Sequence, residues 1–197
     1  MIVLASRSPQ RRSLLRSLGV EHRVVASGYP EDVPDGMSDP EEIVAHHAAM
    51  KAQDVAGRAG VPRGGGVLAS DTAVVSGSRI LGKPRDRDDA RAMLEHLAGR
   101  THRVVTAIHL VTADGGSRAV VDGTDVTFRV VPASLRDWYL DRGEWQGRAG
   151  AYAIQGSGAA LVERVDGDVT TVIGLPVAAL CRVLDEVGLA PWGTPPG

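Results

Sequence analysis

Apolar residues open the chain as a short unbroken run, Ile2-Val3-Leu4-Ala5, and then recur at helical spacing at Leu14, Leu15 and Leu18. That pattern predicts a buried strand, a polar turn and a helix over residues 9–18 that stops at Gly19. Ser8 is placed to cap the helix, and Pro9 falls at its first position, where a missing N–H costs nothing. A second strand is expected over 22–26, followed by a turn-rich acidic loop over 27–36, a composition that usually marks a solvated segment. Asp39-Pro40-Glu41-Glu42 has the capping chemistry of a helix start, and the helix extends to about residue 59. Val44, His47, Ala48, Lys51 and Val55 lie on one stripe of it.

After a glycine-rich connector at 62–66, residues 67–70 read as a buried strand that continues through Asp71-Thr72 to Val75. Ser76-Gly77-Ser78 turns it into a hairpin partner at 79–81. A third helix is expected over 86–97, capped by Asp86 and stopped by Gly99. Two long strands over 101–130 flank the turn at 113–116. Ser134 is expected to cap a short helix over 135–141 whose Trp138 and Tyr139 pack inward. Residues 148–158 are rich in glycine and alanine. They read either as backbone that approaches a ligand closely or as a tightly packed strand and turn. A strand over 159–165, a turn at 166–168 and a last helix over 177–187 complete the pattern, with a tail at 191–197 expected to be disordered.

At 197 residues, 43% hydrophobic and 23% charged, the chain has the composition of one globular domain with a full-sized core. A formal net charge of −2 argues against a general nucleic-acid binder. No stretch approaches membrane-spanning length, and the N-terminal apolar run is too short for a signal peptide. The expected location is the cytoplasm, with no membrane partner. The single cysteine, Cys181, excludes an internal disulfide and sits in an apolar helix.

Charge placement changes the picture at three points. Arg11 and Arg12 lie in the first turn of a helix, where the helix dipole is already positive. With Ser6, Ser8 and the exposed N–H groups they form either a phosphate socket or an arginine-rich surface helix. The helical wheel turns Arg11 toward the apolar face, while Arg12 shares the outer stripe with Arg16. Second, twenty of the 22 basic residues are arginine, and the two lysines are Lys51 and Lys83. A compact point charge is what lysine offers beside a phosphate. Third, Lys51 is on an apolar face and needs an anion or an exit to solvent. Other patterns carry no chemistry. His46 and His47 are adjacent and point apart, unlike a zinc pair four residues apart. His102 and His109 face opposite sides of one strand. Gly82-Lys83-Pro84 lacks the rest of a P-loop.

Taken together, Ser6-x-Ser8-Pro9-x-Arg11, Glu31, Lys51, Asp71-Thr72, Gly82-Lys83-Pro84, Thr101-His102-x-Val104, Ala149-Gly150-Ala151-Tyr152-x-Ile154-Gln155-Gly156 and Val172-Ile173-Gly174-Leu175-Pro176 resemble, in order and spacing, the Maf family of nucleotide pyrophosphatases. The resemblance covers residues 2 to about 187, and a family domain over 1–190. It implies an α/β fold similar to inosine triphosphate pyrophosphatase: an elongated, mixed, twisted sheet with flanking helices, in two lobes around a cleft. It implies hydrolysis of nucleoside triphosphates to monophosphate and pyrophosphate with a divalent cation, Mg²⁺ or Mn²⁺, and a possible homodimer. The alternatives it leaves are a nucleotide-binding regulator of septum formation and a purine or modified-nucleotide preference.

Carried over residue by residue, the resemblance implies that Asp71 is the general base or a metal ligand and that Glu31 is a metal ligand. Ser6, Arg11, Arg12, Lys51 and Lys83 match substrate-binding positions, and Thr72 and Gln155 match specificity positions. The Asp-Thr pair and the glutamine resemble the branch acting on dTTP and UTP. One departure stands out. Gln10 occupies the place of the family's first arginine, and Arg12 supplies a charge after Arg11.

Overall fold

The computed structural model describes residues 1–193; residues 194–197, part of the tail expected to be disordered, lie outside the described residues. In chain order the elements are β1 (Ile2–Leu4), α1 (Pro9–Ser17), β2 (His22–Val24), α2 (Pro40–Ala59), β3 (Gly66–Ser76), β4 (Arg79–Leu81), α3 (Arg87–Leu97), β5 (Thr101–Thr112), β6 (Ser117–Phe128), α4 (Ala133–Asp141), β7 (Val162–Asp166), α5 (Val169–Ile173) and α6 (Val177–Glu186). The strand order is β2-β1-β3-β5-β6-β7, with β4 on β3. β1 is parallel to β2 and β3, whereas β3–β4 and β6–β7 are antiparallel. The expected α/β fold with a mixed sheet and flanking helices is therefore present.

Two compact units divide the chain, and β3, β5 and β6 run through both. The first comprises Met1–Asp71, Thr106–Asp122 and the chain from Gly174 onward. β1 and the first residues of β3 are buried on both faces, as parallel strands between helices must be, while the edge strand β2 is largely exposed. The period of two sorts their side chains. Ile2, Leu4 and Leu68 join Leu15 of α1 and Leu180 and Val183 of α6 on one side. Val3, Ala5, Val67 and Ala69 join Ala52 and Val55 of α2 on the other. This parity decides the chemistry further along β3. Ser70 falls on the α1 side and Asp71 on the α2 side.

The second unit comprises Thr72–Val105 and Gly123–Ile173. Its core gathers Val74, Leu94, Leu97, Phe128, Tyr139 and Tyr152. Several expectations change here. Pro132, not Ser134, takes the cap position of α4 with no side-chain cap; its ring fixes φ near −62° and starts the helix at Ala133. Tyr139 is fully buried, but Trp138 is exposed and stacks under the Arg142 guanidinium at 4.7 Å. Adjacent helix positions diverge by about 100°, so only one of the two rings can face the core. Residues 148–158 form no strand; they contain a 3₁₀ turn at Ala149–Ala151, and a second 3₁₀ segment follows at Ser157–Leu161. That second segment takes the first residues of the strand expected from 159. The helix α5 had no sequence signal, because five residues are too few for a period to show.

Candidate active site

The first unit brings Glu31, Lys51 and Asp71 together. α2 is capped by Asp39, whose side chain accepts from Glu41 N, with Pro40 at its first position. The helix lies along the sheet face lined by Val67 and Ala69, so its apolar stripe is buried, and Lys51 with it at 6% exposure. An ammonium there must be paired. Its Nζ donates to Asp71 Oδ1 at 2.6 Å and pairs with Glu31 Oε1 at 2.6 Å. Of the two readings open for Lys51, an anion partner therefore replaces an exit to solvent. His47, one turn earlier on α2, is also buried. Its Nδ1 lies 3.3 Å from Asp71 Oδ2 and its Nε2 lies 3.3 Å from the Asp32 carbonyl oxygen.

Most of the acidic loop is exposed, as expected of a solvated segment, but its start is tied down. Asp54 of α2 accepts from Ser27 Oγ and Gly28 N, both at 2.8 Å, and pairs with Arg58. Arg58 in turn donates to the Ala26 carbonyl at 2.9 Å. Hydrogen bonds from Arg58 above all, then Ser27 and Gly28, hold the Asp54 carboxyl well below the usual carboxylate range. Tyr29 OH meets His46 Nε2 at 3.1 Å. These bonds fix the start of the segment that carries Glu31.

On the other sheet face, Ser8 caps α1, accepting from Arg11 N at 3.5 Å. Its hydroxyl donates to Gln10 Oε1 at 3.1 Å, so the residue that departs from the family pattern closes back onto the cap. Arg11 turns inward as the wheel predicts, and Arg12 is exposed. The Arg11 guanidinium donates from Nε to the Gly174 carbonyl at 2.8 Å, and from Nη1 to the Ser70 carbonyl at 2.7 Å and Ser6 Oγ at 3.2 Å. Ser70 Oγ also donates to the Gly174 carbonyl, at 2.9 Å. Burial lowers the Arg11 pKa from its ordinary value, and the charges of Asp71 and Glu31 work against that shift.

Ser6 and Asp71 both stand past the carboxyl end of β1, where its parallel partner β3 continues beyond it. Ligand sites of parallel α/β sheets form at such carboxyl ends.

The remaining predicted residues belong to the second unit. Thr72 follows Asp71 on β3 and is half-buried; Lys83 is exposed just after β4; Gln155 is exposed in the turn between the two 3₁₀ segments. Around that turn, Gly150 adopts φ +68° and its N–H donates to the Gly82 carbonyl at 3.1 Å. A Cβ at Gly150 would lie 3.1 Å from Val74 Cγ1. Tyr139 OH accepts from Ala153 N at 3.0 Å, and Glu144 accepts from both Ser157 N and Ser157 Oγ at 2.7 Å. The stretch read as either ligand-facing backbone or tight packing is thus closely packed up to Ile154 and exposed at Gln155.

The sequence reading missed two contributors. His47 was visible on the buried stripe, and the signal was its place one turn before Lys51. Gly174 stood within the Val172–Pro176 motif, but its carbonyl's role as an acceptor had no sign in residue type.

Among the described residues no group of three or more His, Cys, Asp or Glu side chains is arranged to hold a metal ion. Asp71 and Glu31 nonetheless converge on one cation, the Lys51 ammonium, with hard oxygen donors. A pair of carboxylates suits Mg²⁺ or Mn²⁺, because such ions take one or two protein carboxylates and complete their shell from waters and substrate phosphates.

The α/β sheet thus sets a buried lysine against one partly buried and one exposed carboxylate past the carboxyl end of a parallel strand. The chain matches the Maf family, described as Maf-like protein, over residues 1–187 and belongs to it. It is 43% identical over 198 residues to a protein of Anaeromyxobacter dehalogenans (strain 2CP-1 / ATCC BAA-258) named dTTP/UTP pyrophosphatase, with 98% of each chain covered. A protein of the same name from Myxococcus xanthus (strain DK1622) is 42% identical over 193 residues, covering 98% of this chain and 95% of its own. In fold the chain is similar to a HAM1 protein from Coxiella burnetii, with a TM-score of 0.50 at 18% identity, covering 94% of this chain and 98% of the other. Among the described residues no helix is long and apolar enough to cross a membrane.

Proposed function

We propose that this chain is a nucleoside triphosphate pyrophosphatase that hydrolyses dTTP and UTP to the monophosphate and pyrophosphate. Relatives at about this identity over nearly the full length carry that name. The observation that carries the reading is the buried Lys51 ammonium held between Asp71 and Glu31. A buried cation shared by two carboxylates suits a site that trades its own charge pairs for those of a polyanion and its counter-ion.

In this reading Asp71 takes the proton from the attacking water, whose oxygen bonds to the α-phosphorus as pyrophosphate leaves. Lys51, Lys83 and Arg12 offset phosphate charge, with Ser6 and Arg11 shaping the turn that receives it. Asp71 and Glu31 would hold the divalent ion, which when bound neutralises charge on the phosphate oxygens. Gln155 would accept from the pyrimidine N3–H and donate to the adjacent carbonyl, since a carboxamide does both. Thr72 would border the same base.

Pyrophosphate release from dTTP and UTP by the purified chain with Mg²⁺ or Mn²⁺ tests this reading. The expected result is pyrophosphate and monophosphate in equal amounts, with purine triphosphates turned over more slowly. Binding of these nucleotides without turnover would overturn it.

A further inference from the structure

Lys51 and His47 stand one helical turn apart on α2, and each reaches the same two elements. Lys51 takes Asp71 Oδ1 on β3 and Glu31 Oε1 on the loop. His47 meets Asp71 Oδ2 on β3 and the Asp32 carbonyl on the loop. Glu31 and Asp32 are consecutive, so the two side chains close a ring: Asp71, Lys51, Glu31, Asp32, His47 and back to Asp71. His47 is 5% exposed and therefore has little room to be anything but a fixed strut.

We propose that His47 is a positioning residue for the reaction: its Nδ1–H donates to the second carboxylate oxygen of Asp71, while Nε2 faces the Asp32 carbonyl beside Glu31, an acceptor that only a ring carrying protons on both nitrogens would serve as well. Lys51 restrains one oxygen through a long side chain, and the Cβ–Cγ torsion of an aspartate is intrinsically broad. A second contact on Oδ2 narrows that torsion further and hence the direction in which the carboxylate lone pairs face a water. The benefit is a smaller loss of freedom at the moment of reaction, not added binding of substrate. The effect therefore falls on kcat. Hydrophobic burial of the ring alone would give no such preference, and an apolar residue would serve that packing role as well.

The inference rests on Asp71 as the reacting carboxylate, and the experiment separates the two ideas. An asparagine amide superposes its nitrogen on His Nδ1, and a glutamine amide on His Nε2. His47→Asn thus keeps a donor on the Asp71 side, His47→Gln places its donor on the Asp32 side instead, and His47→Leu keeps only apolar bulk. Each is compared with wild type and with Asp71→Asn for kcat and KM on UTP, with thermal unfolding as the fold control. The expected result is a kcat lowered at least tenfold in His47→Leu, with KM within about threefold, and kcat recovered to within about threefold of wild type in His47→Asn but not in His47→Gln. Full activity in His47→Leu, or equal kcat in the Asn and Gln variants, overturns the proposal while Asp71→Asn stays inactive. Activity in Asp71→Asn instead overturns the role of Asp71 itself. Should His47→Leu fail to fold, the Asn and Gln pair decides alone.

Discussion

Lys51 Nζ sits 2.6 Å from Asp71 Oδ1 with both groups largely out of water, at 7% and 13% side-chain exposure. An ion pair of this kind is costly to assemble and costlier to break, because removing one charge strands the other. Lys51→Met keeps the length and volume of the side chain and removes the charge. The expected loss is about 3 kcal/mol, the low end for a broken buried pair, since Glu31 is half-exposed and His47 still faces Asp71. Urea unfolding measures it. Adding Asp71→Asn to Lys51→Met should restore part of that stability while leaving the enzyme inactive. A double variant less stable than Lys51→Met would mean that Asp71 is not a stranded charge.

A pH effect is expected from the second unit. His102 is buried against Phe128 and Tyr152, with Nε2 2.8 Å from Tyr152 OH and no partner for Nδ1 among the described residues. Burial pushes its pKa down to about 4. The unfolded chain takes up this proton near the ordinary value of about 6.5 and the folded chain only near 4, so between these values the unfolded state binds more protons. The contribution of a neutral His102 is thus complete above about pH 6.5 and is lost as pH falls toward 4, an effect on the order of 3 kcal/mol. Urea midpoints between pH 7.5 and 4.5 should fall more steeply for wild type than for His102→Gln, which does not titrate. Parallel curves would assign the acid sensitivity elsewhere.

Glu144 offers a test of the turn that presents Gln155. Its carboxylate accepts from Ser157 N and Oγ, and a Cβ at Gly156 would run into it. Glu144→Ala is expected to cost about 1 kcal/mol for the unpaired N–H. If Gln155 reads the base, the ratio of kcat/KM for UTP over CTP should also fall by several-fold. Glu144→Gln retains an acceptor and should keep most of that ratio. An unchanged ratio in Glu144→Ala would detach the turn from specificity.

The neighbouring residues Gly150 and Ala151 both adopt positive φ, +68° and +62°. Only glycine does so without a steric cost of about 1–2 kcal/mol. Gly150→Ala should lower stability by about that amount or more, since its Cβ would also press on the Val74 methyls. Ala151→Gly should be neutral or slightly stabilising, because relief of the same strain offsets the greater freedom of glycine in the unfolded chain. Thermal unfolding of the two variants, with a clear loss only in Gly150→Ala, checks the conformation of both residues.

Periodicity and capping residues were enough to place α1, α2, α3 and α6 and the long strands. Ser8-Pro9, Asp39-Pro40 and Asp86 mark helix starts by local hydrogen-bonding chemistry, which does not depend on what the helix later packs against. The same wheel separated Arg11 from Arg12 and put Lys51 on the buried stripe, so the demand for an anion at Lys51 was already written in the chain. What answered that demand was not. Glu31, Lys51 and Asp71 come from a loop, a helix and a strand, and their meeting follows from the parallel pairing of β1 and β3 and the packing of α2 on the face that Asp71 shares. The Arg11 contacts with the Ser70 and Gly174 carbonyls, and the strut from His47 to Asp71, likewise depend on the sheet. Short elements behaved in the same way. The 3₁₀ segments around Gln155 and the five-residue α5 are too brief to show a period, and their form is imposed by Tyr139, Glu144 and the core around them. Sequence thus determined which residues must be buried, capped or charged, because those are local balances of hydration and hydrogen bonding. Tertiary structure decided which of them meet, because pairing across a sheet and a helix is set by register and packing that no single segment contains.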